Sequence, residues 1–117
     1  MLVIEDSRIR KATWNDIREC VYIITQLIPI GRVVSYKAIA KTLGISPRSV
    51  AIALSKNEKP IVIPCHRVVH ASGKIGGYTP HGQEFKKRLL SIEGVDVKDH
   101  RVPKEYFMDN ELVELLL

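Results

Sequence analysis

Cysteine is scarce in this chain of 117 residues. There are two, Cys20 and Cys65, 45 positions apart and with no C-x-x-C pair. A disulfide framework is therefore not expected, nor is a metal site built by this chain alone. Long hydrophobic runs are lacking too. The unbroken apolar stretches are only a few residues, such as Ile61-Val62-Ile63, far short of the roughly 20 that cross a bilayer. The opening residues Met1-Leu2-Val3-Ile4-Glu5-Asp6 carry acids where a signal peptide carries cations. No internal repeat or low-complexity tract is present. These absences point to an intracellular protein, cytoplasmic or, in a eukaryote, nuclear, with no membrane partner.

What is present suits one globular domain spanning 1–117, with a lead-in at 1–12 and a tail at 109–117. The apolar fraction is 45%, which supports one core in a chain this short. Lysine and arginine number 18 against 13 acids, a net charge of +5. A basic surface suits a polyanionic partner, although it also serves solubility.

The pattern along the chain is mainly helical. Leu2–Ile4 has weak strand character. Thr13, with Asp16 three residues on, is a capping-box variant opening a helix. Ile17, Val21, Ile24 and Ile28 form its apolar face, with Cys20 and Leu27 beside them, and Pro29 and Gly31 stop it. Cys20 thus reads as a core cysteine. Ser35 caps a second helix over Tyr36–Leu43, which Gly44 ends. Ser46-Pro47 opens a third, running to about Lys56 and burying Val50, Ala53 and Leu54. Two short helices about a glycine turn make a helix-turn-helix, whose second member is normally the one laid in a DNA groove. Arg48 and Ser49 stand at its leading end, with Lys37 and Lys41 nearby. Ile61–Ile63 reads as a short buried strand or extended segment. A last helix opens at 80–83, with Phe85, Leu89 and Ile92 inward, Lys86, Lys87 and Arg88 to the side, and Gly94 as its cap. The Leu-rich tail could pack on the core or against another chain. The expected fold is a mainly α, winged-helix-like helix-turn-helix domain with a short strand and loop segment around Cys65.

Cys65 draws attention chemically. It stands between Pro64 and His66, with Arg67 next. Only a thiolate attacks, so a nucleophilic cysteine needs a base or cation close by. His66 is too close in sequence for an easy direct bond, so a bridging water is the expected relay. Glu93 is the candidate to orient the histidine. It lies in the last turn of its helix, where the dipole disfavours an acid. Taken singly, each residue also has a structural reading: Arg67 as an ion-pair partner, His66 as a core histidine, Tyr36 and Tyr78 as packing, Asn57 as a helix cap.

Ile63-Pro64-Cys65-His66-Arg67-Val68-Val69 resembles the active-site signature of the O6-alkylguanine-DNA alkyltransferases, also called methylated-DNA–protein-cysteine methyltransferases. The resemblance runs from about Trp14 to Phe107. It includes Gly31-Arg32-Val33-Val34-Ser35-Tyr36, Arg48-Ser49-Val50, Asn57, Gly76-Gly77-Tyr78 and Leu89-Leu90-Ser91-Ile92-Glu93-Gly94, and is closest to the family's C-terminal catalytic domain. It implies DNA repair by a single-turnover methyltransferase with no cofactor. Cys65 would accept the alkyl group, His66 would act through water as its base, and Glu93 would complete the relay. Arg48 would be the finger replacing a flipped nucleotide, with Ser49, Lys37 and Arg67 on DNA. Tyr36 would crowd the phosphate and bond the flipped base, and Asn57 would tie the helix-turn-helix to the active-site segment. Pro64, Val68, Tyr78 and Thr79 would line the substrate pocket, with the main chain of Cys65 and Val68 at the base edge. The implied partner is double-stranded DNA carrying O6-alkylguanine, met by a monomer.

The chain departs from the family pattern in having almost no room for the N-terminal domain that members commonly carry, so another polypeptide is a candidate to supply it. Cys65 argues against the alkyltransferase-like proteins, which bind alkylated DNA without an acceptor cysteine. Two other readings stay open: a non-catalytic alkylated-DNA-binding or regulatory helix-turn-helix protein, and a cysteine hydrolase using Cys65, His66 and Glu93.

Overall fold

The computed structural model describes residues 1–77 and 82–115, so Tyr78 and Thr79 lie outside the described residues. The lead-in is an antiparallel hairpin of β1 (Leu2–Glu5) and β2 (Arg8–Lys11). It is tied to the first helix by charge. Arg10 donates to Asp16 at 2.6 Å and to Glu5 at 2.6 Å. Asp16 also completes the capping box expected at Thr13, accepting from the Thr13 backbone N–H at 2.7 Å while its own N–H donates to Thr13 Oγ1 at 3.3 Å.

Helix α1 (Trp14–Gln26) buries Val21, Ile24 and Thr25. Thr25 is tolerated there because its hydroxyl donates to the Val21 carbonyl one turn back, at 2.7 Å. Cys20, expected in the core, is only half-buried, being displaced to the flank of the stripe. Helix α2 (Tyr36–Leu43) starts on Ser35, whose hydroxyl accepts from the Ala38 N–H at 3.0 Å. It ends on Gly44 at φ +70°, a left-handed value that suits glycine. Helix α3 (Pro47–Ser55) starts on Ser46, with Pro47 in its first turn. The Tyr22 hydroxyl on α1 donates to the Ala53 carbonyl of α3 at 2.8 Å, and the three helices enclose one core with Val21, Ile39, Ala40, Val50 and Leu54. The expected mainly α, helix-turn-helix architecture is what the chain adopts.

Strands β3 (Val34–Ser35) and β4 (Val68–Val69) pair in parallel, Val34 opposite Val68 and Ser35 opposite Val69. Side chains alternate across a strand, so this short ladder divides the interior. Val34 and Val68 face the three-helix core; Val33 and Val69 face a second cluster with Ile75, Leu90, Val95 and Val102. Helix α4 (Gly82–Ile92) covers the second cluster through Leu90.

Two expectations fail here. Ile61 and Val62 are exposed, 56% and 69%, and only Ile63 is buried. The segment is a turn with Ile61 at φ +75°, because it must reverse between α3 and Cys65 rather than extend. On α4, Ile92 is 82% exposed and Lys86 is fully buried. Phe85 and Leu89 pack against the three-helix core as expected, and the residues of α4 that are fully buried are Lys86 and Leu90.

The C-terminal segment packs on the core as far as Leu112; Leu116 and Leu117 of the Leu-rich tail lie outside the described residues. Met108 and Leu112 enter the three-helix cluster. Val33 exchanges main-chain bonds with Tyr106 and Met108 at 2.9 Å each. Asp109 accepts from the Ser35 backbone N–H at 2.9 Å and from its hydroxyl at 2.7 Å. Asp109→Ala strips both buried donors of their partner. It should cost about 1–3 kcal/mol, seen as a lower urea midpoint at unchanged m-value. An unchanged midpoint would show that the latch adds no stability.

Candidate active site

The site is built on a tight reversal at Pro64. Its φ of −80° and ψ of 63° are those of an inverse γ-turn, and the Cys65 N–H donates to the Ile63 carbonyl at 2.7 Å. One 3₁₀ turn follows, Cys65–Arg67, leading into β4. This compact turn sends three consecutive side chains to different places.

Cys65 points into a cavity of about 310 Å³. Helix α3 contributes Ala51, Leu54 and Ser55 to its walls, and Tyr36, His70 and Gly77 contribute the rest of the described lining. Asn57, just past α3, donates through Nδ2 to the Ile63 carbonyl at 2.9 Å and to Cys65 Sγ at 3.3 Å. Its Oδ1 accepts from the Lys59 N–H at 2.9 Å, which fixes the amide orientation. The end of α3 is thereby fastened to the thiol.

His66 turns inward and is fully buried. Its Nε2 lies 3.1 Å from Glu93 Oε1. Burial pushes the imidazole below its ordinary value, and the Glu93 charge opposes this without overcoming it. His66 is thus neutral at physiological pH. Arg67 grips the same carboxylate with two bonds, 3.0 Å to Oε1 and 2.6 Å to Oε2, and donates to the Ile28 carbonyl at 2.8 Å. Burial alone would raise Glu93. Arg67, and then His66, more than offset it and hold the carboxyl below its usual range.

Arg67, expected on DNA, instead has its guanidinium turned inward on Glu93 and Ile28. Pro64 and Val68, expected to line the pocket, are buried behind the turn and are not among its described lining residues. The Val68 carbonyl, expected at a base edge, accepts from Lys86 Nζ at 2.7 Å. Arg48 and Lys37 are exposed, on α3 and α2. The Ser49 N–H donates to Ser46 Oγ at 3.1 Å, so Ser49 takes part in capping α3.

Two residues near Cys65 went unread in the sequence. Lys86 is fully buried, and its ammonium also donates to the Gly77 carbonyl at 3.3 Å and to the Tyr36 hydroxyl at 3.5 Å. Burial pushes it down to about 7. The available signal was a lysine four residues before Leu90, one turn away on the same helix face. His70 packs its ring on Tyr36, centroids 5.1 Å apart; no sequence pattern marks it. Tyr36 itself is pushed up to about 12, chiefly by burial. Its hydroxyl keeps its proton.

A neutral base, a carboxylate oriented by arginine, and a thiol held by an amide at a cavity floor are the parts of a nucleophilic site. The family description "6-O-methylguanine DNA methyltransferase, DNA binding domain" matches residues 16–95. The chain belongs to this family. Among curated relatives it is 47% identical over 94 residues to the methylated-DNA–protein-cysteine methyltransferase of Metallosphaera sedula, covering 80% of this chain and 58% of that one. The protein of the same name from Sulfolobus acidocaldarius is 46% identical over 84 residues, 72% of this chain and 53% of that one. The chain thus spans about half the length of these methyltransferases. Among solved structures, S. pombe Atl1 in complex with damaged DNA containing O6-carboxymethylguanine superposes with a TM-score of 0.74 at 25% identity, over 82% of this chain and 97% of that one. Mycobacterium tuberculosis OGT in complex with DNA gives 0.64 at 32% identity, over 88% and 58%. Among the described residues no helix is long and apolar enough to cross a membrane, and no cluster of His, Cys, Asp or Glu could hold a metal ion.

The charge balance around His66 is testable by NMR. Its imidazole should titrate below the ordinary 6.5. Glu93→Gln should lower the midpoint further, because it removes the anion favouring the protonated ring while Arg67 stays. A midpoint that rises in this variant would mean Glu93 does not act on His66.

Proposed function

We propose that this chain repairs DNA by taking the alkyl group from O6 of a flipped guanine onto Cys65. The observation that carries the reading is Cys65 Sγ at the floor of a cavity, bonded by Asn57 and followed in the chain by a buried His66 beside Glu93. The thiol proton passes to neutral His66 through a bound water, and Glu93 stabilises the imidazolium. The thiolate sulfur then bonds the alkyl carbon. The carbon–O6 bond breaks, its electron pair stays on the base, and guanine takes up a proton. Tyr36, kept protonated by burial, is a donor positioned at the cavity wall. The thioether product offers water no ready leaving group, so each molecule acts once. No cofactor enters this sequence.

A lesion inside the stack hides O6, so the nucleotide must be extruded. Exposed Arg48 at the start of α3 is the side chain proposed to fill the gap, with Lys37 on phosphate. A binding-only reading is favoured by one observation, the near-complete match to Atl1; it leaves the Cys65–His66–Glu93 arrangement without a task.

Incubation with DNA bearing O6-methylguanine, followed by peptide mass mapping, should find one methyl group on the peptide containing Cys65. Cys65→Ser should abolish transfer. Binding without transfer would support the binding-only reading. Transfer to Cys20, or repeated turnover, would refute the mechanism. Arg48→Ala should slow repair of duplex DNA by about tenfold or more, and repair of a single strand much less, since only a duplex leaves a gap to fill. Equal losses on both would remove Arg48 from this role. Glu93→Gln should slow transfer while leaving DNA affinity near normal.

A further inference from the structure

The cavity above Cys65 has a floor and a mouth. Cys65 and Leu54 are buried, while Ala51, Ser55, His70 and Gly77 are exposed. The largest side chain among these exposed lining residues is that of His70. It does not hang from a loose loop. Its N–H donates to the Lys74 carbonyl at 2.9 Å, and its own carbonyl accepts from the Gly73 N–H at 2.9 Å. Gly73 is anchored in turn, its carbonyl accepting from the Val102 N–H at 2.8 Å. Its positive φ of 95°, with the space a Cβ would need lying 2.9 Å from the Val102 carbonyl, leaves room for glycine only.

The ring is seated as firmly as the backbone. It packs on Tyr36, tilted by 48°. Behind the pair runs Gly76, at φ +74°, where a Cβ would stand 3.0 Å from His70 Nε2 and 3.5 Å from the Tyr36 hydroxyl. A side chain at that position would push both rings. Burial, then the Lys86 and Lys74 ammoniums, hold the imidazole below its ordinary value. The ring is uncharged at physiological pH and serves as an amphipathic wall.

We propose that His70 is a specificity-determining residue: its imidazole, braced on Tyr36 across Gly76, narrows the mouth of the Cys65 cavity and limits the size of the alkyl group that can reach Sγ. The proposal rests on the alkyl-transfer reading. His70 takes no part in bond making; it acts by occupying volume. His70→Ala removes the imidazole beyond Cβ and widens the mouth. His70→Phe keeps an aromatic ring of larger size on Tyr36.

The test measures single-turnover transfer rates to the intact chain from two oligonucleotides, one bearing O6-methylguanine and one O6-benzylguanine, with thermal melting as the check on folding. One methylene in an apolar pocket changes discrimination by about tenfold or more. His70→Ala should therefore raise the benzyl-to-methyl rate ratio by about tenfold, and His70→Phe should leave it at or below the wild-type value. A ratio within about twofold of wild type in His70→Ala, whether both rates fall together or neither moves, would overturn the proposal and leave the imidazole as a brace for Tyr36 alone. A ratio that rises in His70→Phe would overturn it as well. A wild-type chain that transfers neither group would instead defeat the alkyl-transfer reading, a result distinct from transfer with an unmoved ratio.

Discussion

The Glu93 carboxylate is the point on which the site's geometry depends. Two bonds from Arg67 and the approach of His66 converge on its two oxygens. Because Arg67 also holds the Ile28 carbonyl at the end of α1, one carboxylate fixes α4, the turn at Cys65 and the N-terminal helical core together. Such a bidentate, charge-assisted pair is strong and directional. It is also demanding: a partner removed here leaves a charge stranded away from water, which costs several times what an exposed pair contributes.

A second constraint works from the other side. Asn57 links the last turn of α3 to the Cys65 sulfur, so the helix proposed to meet DNA and the atom proposed to react are separated by one side chain. The division of the interior by β3 and β4 complements this. The helix-turn-helix packs against one face of the ladder, and α4, with Leu90, against the other. The Cys65 turn, entering directly into β4, belongs to both halves.

Much of this could be read from residue order. Serine and threonine caps, a proline in a first turn and Gly44 marked the ends of α1, α2 and α3 closely, because capping chemistry is local. Cys65 and Glu93 were also legible, the latter through its poor fit to a helix end, while the tie from Asn57 came only with the family resemblance. What escaped depended on distant contacts. Lys86 looked like surface because lysine normally is; the carbonyls of Val68 and Gly77 and the Tyr36 hydroxyl make its burial tolerable. Ile92 looked like core because it is apolar, yet it ends α4 82% exposed, while Lys86 is fully buried. Ile61 and Val62 looked like a strand from composition, while the reversal before Pro64 required a turn. Arg67 read as an ion-pair partner or a phosphate contact; the ion pair is what forms, with a carboxylate 26 positions away in the chain.

The burial of Lys86 has a consequence for how the whole chain responds to acid and alkali. In the folded protein this amine holds its proton only up to about 7, whereas an ordinary lysine holds it to 10.5. Between those values the unfolded chain binds a proton that the folded chain has released. Raising the pH through this window therefore favours the folded form at this residue, and lowering it below 7 removes that advantage. His66, also held below its ordinary value, acts with the same sign at lower pH. Both groups lie beside the Cys65 turn, so mild alkali favours the folded form at residues that surround this sulfur.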